Sequence, residues 1–160
     1  MLKKYFKPRS YSNVEFQLVD MAPPSVYQGL PNRLSDIVQD KNLAKLGDSY
    51  LNFLYSCTLS HITRTPTGKR VSDHLLANVA RRTGLRQHLP HRSPRGKIAD
   101  SVESLVVYAW LKDIMSFGTM FMHLIKASQS FEEALTDLVK GLLKKVGEGG
   151  NEASGPGSDN

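Results

Sequence analysis

The stretch that most constrains this chain is residues 97–112, KIADSVESLVVYAWLK. Ile98, Val102, Leu105, Val106, Ala109 and Trp110 recur at the three- and four-residue spacing of a helix, so the stretch has to bury a broad apolar face in a helical core. Into it the sequence sets two acids, Asp100 and Glu103. They are three residues apart and therefore one above the other on the same side. Neighbouring carboxylates repel each other and resist desolvation, and a shared cation relieves both costs. The same two acids would also suit the first turn of a helix, where the positive end of the dipole favours them.

At 160 residues and 17.8 kDa the chain is sized for one domain, and its 40% apolar content is enough for a core. A single cysteine, Cys57, precludes an internal disulfide framework and fits a reducing cytosol, so a cytoplasmic protein is expected. The five histidines are scattered without zinc-site spacing. The start, MLKKYFKPRS, lacks the apolar run of a signal peptide. The longest apolar stretches, 105–111 and 120–125, are too short to span a bilayer, so no membrane is expected as a partner.

The net charge of +6 is unevenly spread. Residues 61–97 hold Arg64, Lys69, Arg70, Arg81, Arg82, Arg86, Arg92, Arg95 and Lys97 against one acid, Asp73. A basic block of this kind suits a polyanion, most simply a phosphate backbone. A solvated surface or an acidic protein partner would use the same charges.

Along the chain, residues 1–24 read as an N-terminal arm. Val14, Phe16 and Leu18 alternate weakly with polar residues, and Pro23-Pro24 closes the segment. A short helix is expected over 33–39 and a long one over 42–62, with the stripe Leu43, Leu46, Tyr50, Phe53, Leu54, Cys57 and Ile62. Gly47 inside it costs about 1 kcal/mol against Ala and marks a close approach by another backbone or a ligand. Asp48 flanks the stripe. Residues 63–70 read as a loop. Ser72 then caps a helix that buries Leu75, Leu76, Val79 and Ala80 and stops at Gly84. One more turn over 85–89 and a basic loop over 90–96 lead into the helix that carries Asp100 and Glu103. Residues 116–127 are apolar nearly all round, which predicts burial in the core or in a subunit interface. Ser130 and Glu133 form a capping box for a last helix that Gly147 should end. Residues 147–160 carry nothing apolar larger than Ala and read as a disordered tail. The expected architecture is all-α, five or six helices in a single bundle spanning 25–146, with no sheet.

Two of these segments, taken together, resemble the ribonuclease III endonuclease domain. LAKLGDSYLNFLYS is similar to that family's signature helix, Leu-Glu-Phe-Leu-Gly-Asp-Ser/Ala followed by apolar residues. IADSVESLVVYAWL is similar to the later helix in which an Ala-Asp-x-x-Glu-Ala-Leu pattern supplies further metal ligands. HLLANVARRTGLRQHL between them follows the family's order of an apolar helix, then Ala-Arg, then Gly-Leu. The resemblance runs from about Leu43 to Leu111. It departs at Ala44, where the family carries a glutamate four residues before its aspartate; Asp40 lies one turn further off and is a poor substitute. Leu-Ala at this point resembles the Mini-III subgroup, which lacks a double-stranded-RNA-binding domain, or a divergent archaeal ribonuclease III-like group. There is no room for such a domain after the last helix. The second signature looks closer to the full enzyme.

The resemblance implies that Asp48, Asp100 and Glu103 are catalytic ligands of Mg²⁺, with Mn²⁺ as a substitute, and that a second ion is less well held without the glutamate. It implies a two-fold homodimer and double-stranded or structured RNA as substrate; the basic loops, through Arg64, Lys69, Arg70, Arg92, Arg95 and Lys97, are then expected to bind the flanking phosphates. Two other readings fit the residues less fully: a catalytically silent ribonuclease III-like dimer that binds RNA or a ribonucleoprotein, and a helical interaction protein with no nucleic-acid role.

Overall fold

The computed structural model describes residues 29–126 and 130–149, and among them there is no strand. Six α-helices follow in order: α1 (Leu34–Ile37), α2 (Lys41–Thr63), α3 (Asp73–Arg82), α4 (Arg95–Leu111), α5 (Phe117–Lys126) and α6 (Phe131–Gly149). A 3₁₀ turn at Leu85–His88 sits between α3 and α4. No described helix is long and apolar enough to cross a membrane. The N-terminal arm and residues 150–160 lie outside the described residues.

The bundle is built around α4. Nearly every residue from Ile98 to Ala109 is buried, the pattern of a helix surrounded on all sides. Its longest packing partner is α2, with α3 next to it and α6 closing over α3, α4 and α5. The two buried serines of α4 both find a backbone carbonyl, one inside the helix and one at the start of α2. Ser101 Oγ donates to the Ile98 carbonyl at 2.6 Å, and Ser104 Oγ reaches the Asp40 carbonyl at 3.5 Å. Leu51 and Leu54 from α2, Leu76 and Val79 from α3, Leu105 from α4 and Leu135, Leu138 and Leu142 from α6 are essentially inaccessible to solvent. At about 25 cal/mol per Å² of apolar surface, each such leucine contributes roughly 2 kcal/mol of burial.

Local signals set the helix ends. Ser72 Oγ accepts from the Leu75 amide at 3.2 Å, and Gly84 ends the α3 segment with φ of +80°. Ser130 and Glu133 make the reciprocal capping box at 3.3 Å in both directions. Asp40 caps α2, accepting from the amides of Asn42 and Leu43 at 2.8 and 2.9 Å. Both bonds end on Oδ1, which orients the Asp40 side chain along the helix end.

Four sequence expectations change. α4 begins at Arg95 and its first turn holds no acid, so Asp100 and Glu103 are not first-turn residues favoured by the dipole. Phe53 and Ile62 were expected in the buried stripe of α2 but are 55% and 60% exposed. The inward face of that helix instead runs through Leu43, Gly47, Tyr50, Leu51, Leu54 and Thr58, because α4 meets it on the Gly47 side. Within a single chain α5 is not buried all round by the core: Phe117, Met120 and Leu124 face inward while Met122 is exposed, since only one side of it meets α2 and α6. Finally, α6 passes Gly147 and ends at Gly149. A helix already docked through Leu138, Val139, Leu142 and Val146 tolerates a glycine in its last turn.

Candidate active site

Three segments meet at a cleft of about 400 Å³. α2 contributes Lys41, Ala44, Lys45 and Asp48, which at spacings of three and four lie along one side of the helix. α4 contributes Lys97, Asp100 and Glu103, again on one side. Arg70 and Asp73 come from the approach to α3 and from its first residue.

Gly47 brings the two main helices together. A Cβ at this position would collide with the backbone carbonyl of Glu103 and stand 2.9 Å from the Glu103 Cβ. Without a side chain there, α2 lies directly against the α4 backbone, and Asp48, the next residue, reaches the same cleft as Glu103. The sequence marked this glycine as a close approach, and the approaching group is the backbone of the residue that carries one of the acids.

A polar ladder on α2 fixes the third segment. Asp48, Asn52, Ser56 and Ser60 follow one another at four-residue intervals and so stand in a row. Ser60 Oγ accepts from the Thr67 amide at 2.9 Å, and Ser56 Oγ accepts from the Lys69 amide at 3.0 Å. Asn52 Oδ1 accepts from the Val71 amide at 2.8 Å. Residues 67–71 are thereby zipped along α2, and Arg70 is delivered to the last rung. Its Nη2 donates to Asp48 Oδ1 at 2.9 Å, where Asn52 Nδ2 also donates at 2.9 Å.

The acids are held differently. Asp48 is engaged by Arg70 and Asn52, and Asp100 by Lys97 Nζ at 3.2 Å. Glu103 is only 8% exposed and accepts no hydrogen bond from a described residue. Burial first, and then the charges of Asp48, Asp100 and Asp73, push its carboxyl up to about 7, with Arg70 drawing it back. Glu103 is the strained group of the cleft.

The structure therefore brings Asp48, Asp100 and Glu103 together and adds Arg70 and Lys97 to them. Arg64, Lys69, Arg92 and Arg95 are exposed but do not line the cleft. Arg64 ends α2 in a left-handed backbone conformation. Asp73, Lys41 and Lys45 line the cleft and were not singled out from the sequence. For Asp73 a signal was present: it is the one acid in the basic block of residues 61–97. Lys41 and Lys45 carried none, because lysines on a helix are ordinarily solvated.

The donor set fits a hard divalent cation: four carboxylates and no nitrogen or sulfur ligand, with one carboxylate short of hydrogen bonds. Among the described residues no three of these side chains converge tightly enough to grip an ion as they stand. Arg70 and Lys97 supply the positive charge that Asp48 and Asp100 share.

A search of curated proteins finds none that matches the sequence. A protein-family model described as Ribonuclease III matches residues 41–148, a span that takes in every segment lining the cleft. With well over half of its length matched in this way, the chain belongs to the ribonuclease III family.

Proposed function

We propose that this protein is a divalent-metal-dependent endoribonuclease that hydrolyses phosphodiester bonds in double-stranded or structured RNA. The observation that carries the reading is Glu103. It stands on the buried helix α4 with its carboxylate open to the cleft and taking no hydrogen bond from a described residue, and Asp48, Asp73 and Asp100 line the same cleft with Lys41, Lys45, Arg70 and Lys97. A fold gains no stability from such a group in isolation.

Asp48, Asp100 and Glu103 are the residues that would hold Mg²⁺ or Mn²⁺, with Asp73 at the margin. The ion supplies a nucleophilic water at neutral pH and shields charge on the phosphate. In the hydrolysis one P–O bond forms from water and one P–O bond to a ribose oxygen breaks. The water gives up a proton and the departing oxygen gains one. Arg70 and Lys97, which pair with Asp48 and Asp100 at 2.9 and 3.2 Å, would be available to phosphate oxygens once those acids held an ion. Arg64, Lys69, Arg92 and Arg95 grip phosphates further along a duplex, reading shape and backbone rather than base sequence. A two-fold dimer, one cleft per protomer, would cut both strands, and exposed Phe53, Ile62 and Met122 offer apolar surface for such pairing.

The wild type is expected to cut duplex RNA with Mg²⁺ or Mn²⁺ and not with a chelator. Asp48→Asn should lower the single-turnover rate by about 10²-fold and leave RNA affinity nearly unchanged. Neutralising Arg64, Lys69, Arg92 and Arg95 should weaken binding of all duplex sequences alike and reduce the salt slope by about one for each phosphate left without its cation. Ala44 favours the second reading, a silent binder. That reading wins if the wild type binds RNA with steep salt dependence yet cuts none. Absence of RNA binding at low salt overturns both and leaves a helical interaction protein.

A further inference from the structure

We propose that Lys41, Lys45 and Lys97 form a phosphate-holding end of the cleft that supplies the positive charge of a second divalent cation, so that the site works with one ion. The proposal rests on the nuclease reading above and deepens it.

The carboxylates and the lysines are segregated along the cleft. On α2 the order is Lys41, Ala44, Lys45, Asp48; on α4 it is Lys97, Asp100, Glu103. Both helices therefore run from ammonium groups near their starts to carboxylates one to two turns on. Where the family's glutamate would stand, Ala44 leaves space. That space continues into a second cavity of about 230 Å³, walled by Val38, Leu89 and Pro90 and reached past Lys41 and Lys97. Asp40 also borders this cavity, and its Oδ1 accepts both capping bonds of α2. Neither Lys41 nor Lys45 forms an ion pair with a described residue, and both are exposed.

Lys97 pairs with Asp100 at 3.2 Å, so the uncompensated charge at this end is that of Lys41 and Lys45. Lys41 lies in the first turn of α2, which contains no acid, and the positive end of the helix dipole disfavours a cation there. Asp40 and Asp100 border the space beside Ala44, but Asp40 caps α2 and Asp100 pairs with Lys97, so the unpaired Lys41 and Lys45 tip this end against a second ion. They attract a phosphodiester instead. Two-metal nucleases place a cation on each side of the reacting phosphate. Here the acids would hold a cation on one side, and the lysines, fixed in the helices, would be the other.

The test uses the full chain, a labelled RNA duplex and Mn²⁺. Wild type should bind one Mn²⁺ per chain in a titration followed by electron paramagnetic resonance. In a chelator, where nothing is cut, Lys41→Gln/Lys45→Gln should bind duplex at least about ten-fold more weakly, with the salt slope reduced by about two. Lys41→Arg/Lys45→Arg should restore most of that affinity. With Mn²⁺ present the Gln pair should cut about 10²-fold more slowly at saturating RNA. Two Mn²⁺ per chain in a wild type that cuts RNA would overturn the proposal and leave the nuclease reading standing. A Gln pair that binds duplex like wild type would overturn it as well, whether or not the wild type cuts.

Discussion

Metal-free Glu103→Gln protein is expected to be more stable than wild type at pH 8, by about 2 kcal/mol once solvent screening of a carboxyl open to the cleft is allowed for, while cutting RNA about a thousandfold more slowly. The cause is a carboxyl whose usual value of 4.5 is raised to about 7 by burial and by Asp48, Asp100 and Asp73. Between those two values the folded chain keeps a proton that the unfolded chain has released. Folding is therefore favoured by acid: the stabilisation is complete below about 4.5 and is lost as pH rises to 7. Glutamine keeps the shape and removes the charge, so its advantage should shrink to about 1 kcal/mol or less at pH 5. Urea denaturation at pH 5 and pH 8 in a chelator measures the difference. Adding Mg²⁺ at pH 8 should narrow the gap, because an ion that binds the charged carboxylate stabilises only the wild type. A variant no more stable than wild type at pH 8 would show that Glu103 is not strained and would remove the main support for a metal site around it. The opposed effects, higher stability with lost cleavage, distinguish a functional carboxylate from one retained for packing.

Much of this was legible in the residues themselves, for a definable reason. Period and caps are local properties, so the helices, Ser72, Ser130 and Gly84 could be read directly. Asp48, Asp100 and Glu103 were legible because each lies on or beside an apolar stripe, where a charge is out of place. Periodicity says which residues of one helix share a side; it does not say which sides of two helices meet. Phe53 and Ile62 consequently looked buried, although α4 approaches α2 through Gly47 and leaves them in solvent. The ladder Asp48, Asn52, Ser56, Ser60 was visible as spacing, but its partners are backbone amides of a loop, which carry no sequence signature. Asp73, Lys41 and Lys45 acquire meaning only from the cleft they share. That the ladder and Gly47 both end at Asp48 also explains the long α2: its C-terminal half anchors the loop that brings Arg70 to the acid at its N-terminal half.

Gly47→Ala should be the most disruptive single-methyl change in the molecule. Elsewhere in an exposed helix the exchange stabilises by about 1 kcal/mol, since alanine is the better helix former. At this position the added carbon meets backbone atoms of α4, which cannot rotate away as the end of a flexible side chain could. Overpacking against rigid atoms costs about 3 kcal/mol, so a net loss of about 2 kcal/mol is expected, read as a lower denaturation midpoint with an unchanged m-value. The helices can relieve the collision only by separating, and separation moves Asp48 away from Glu103. A displacement near 1 Å is enough to cost about 10²-fold in a positioned reaction, so cleavage should fall well beyond what the remaining folded fraction accounts for. The same separation would relax Glu103, whose carboxyl is raised by burial and by Asp48, and the extra stability of Glu103→Gln at pH 8 should shrink in the Gly47→Ala background. A double-mutant cycle over these two positions measures that coupling. If the two changes add independently, Gly47 serves packing alone, and the link from close backbone contact to a strained carboxylate is broken.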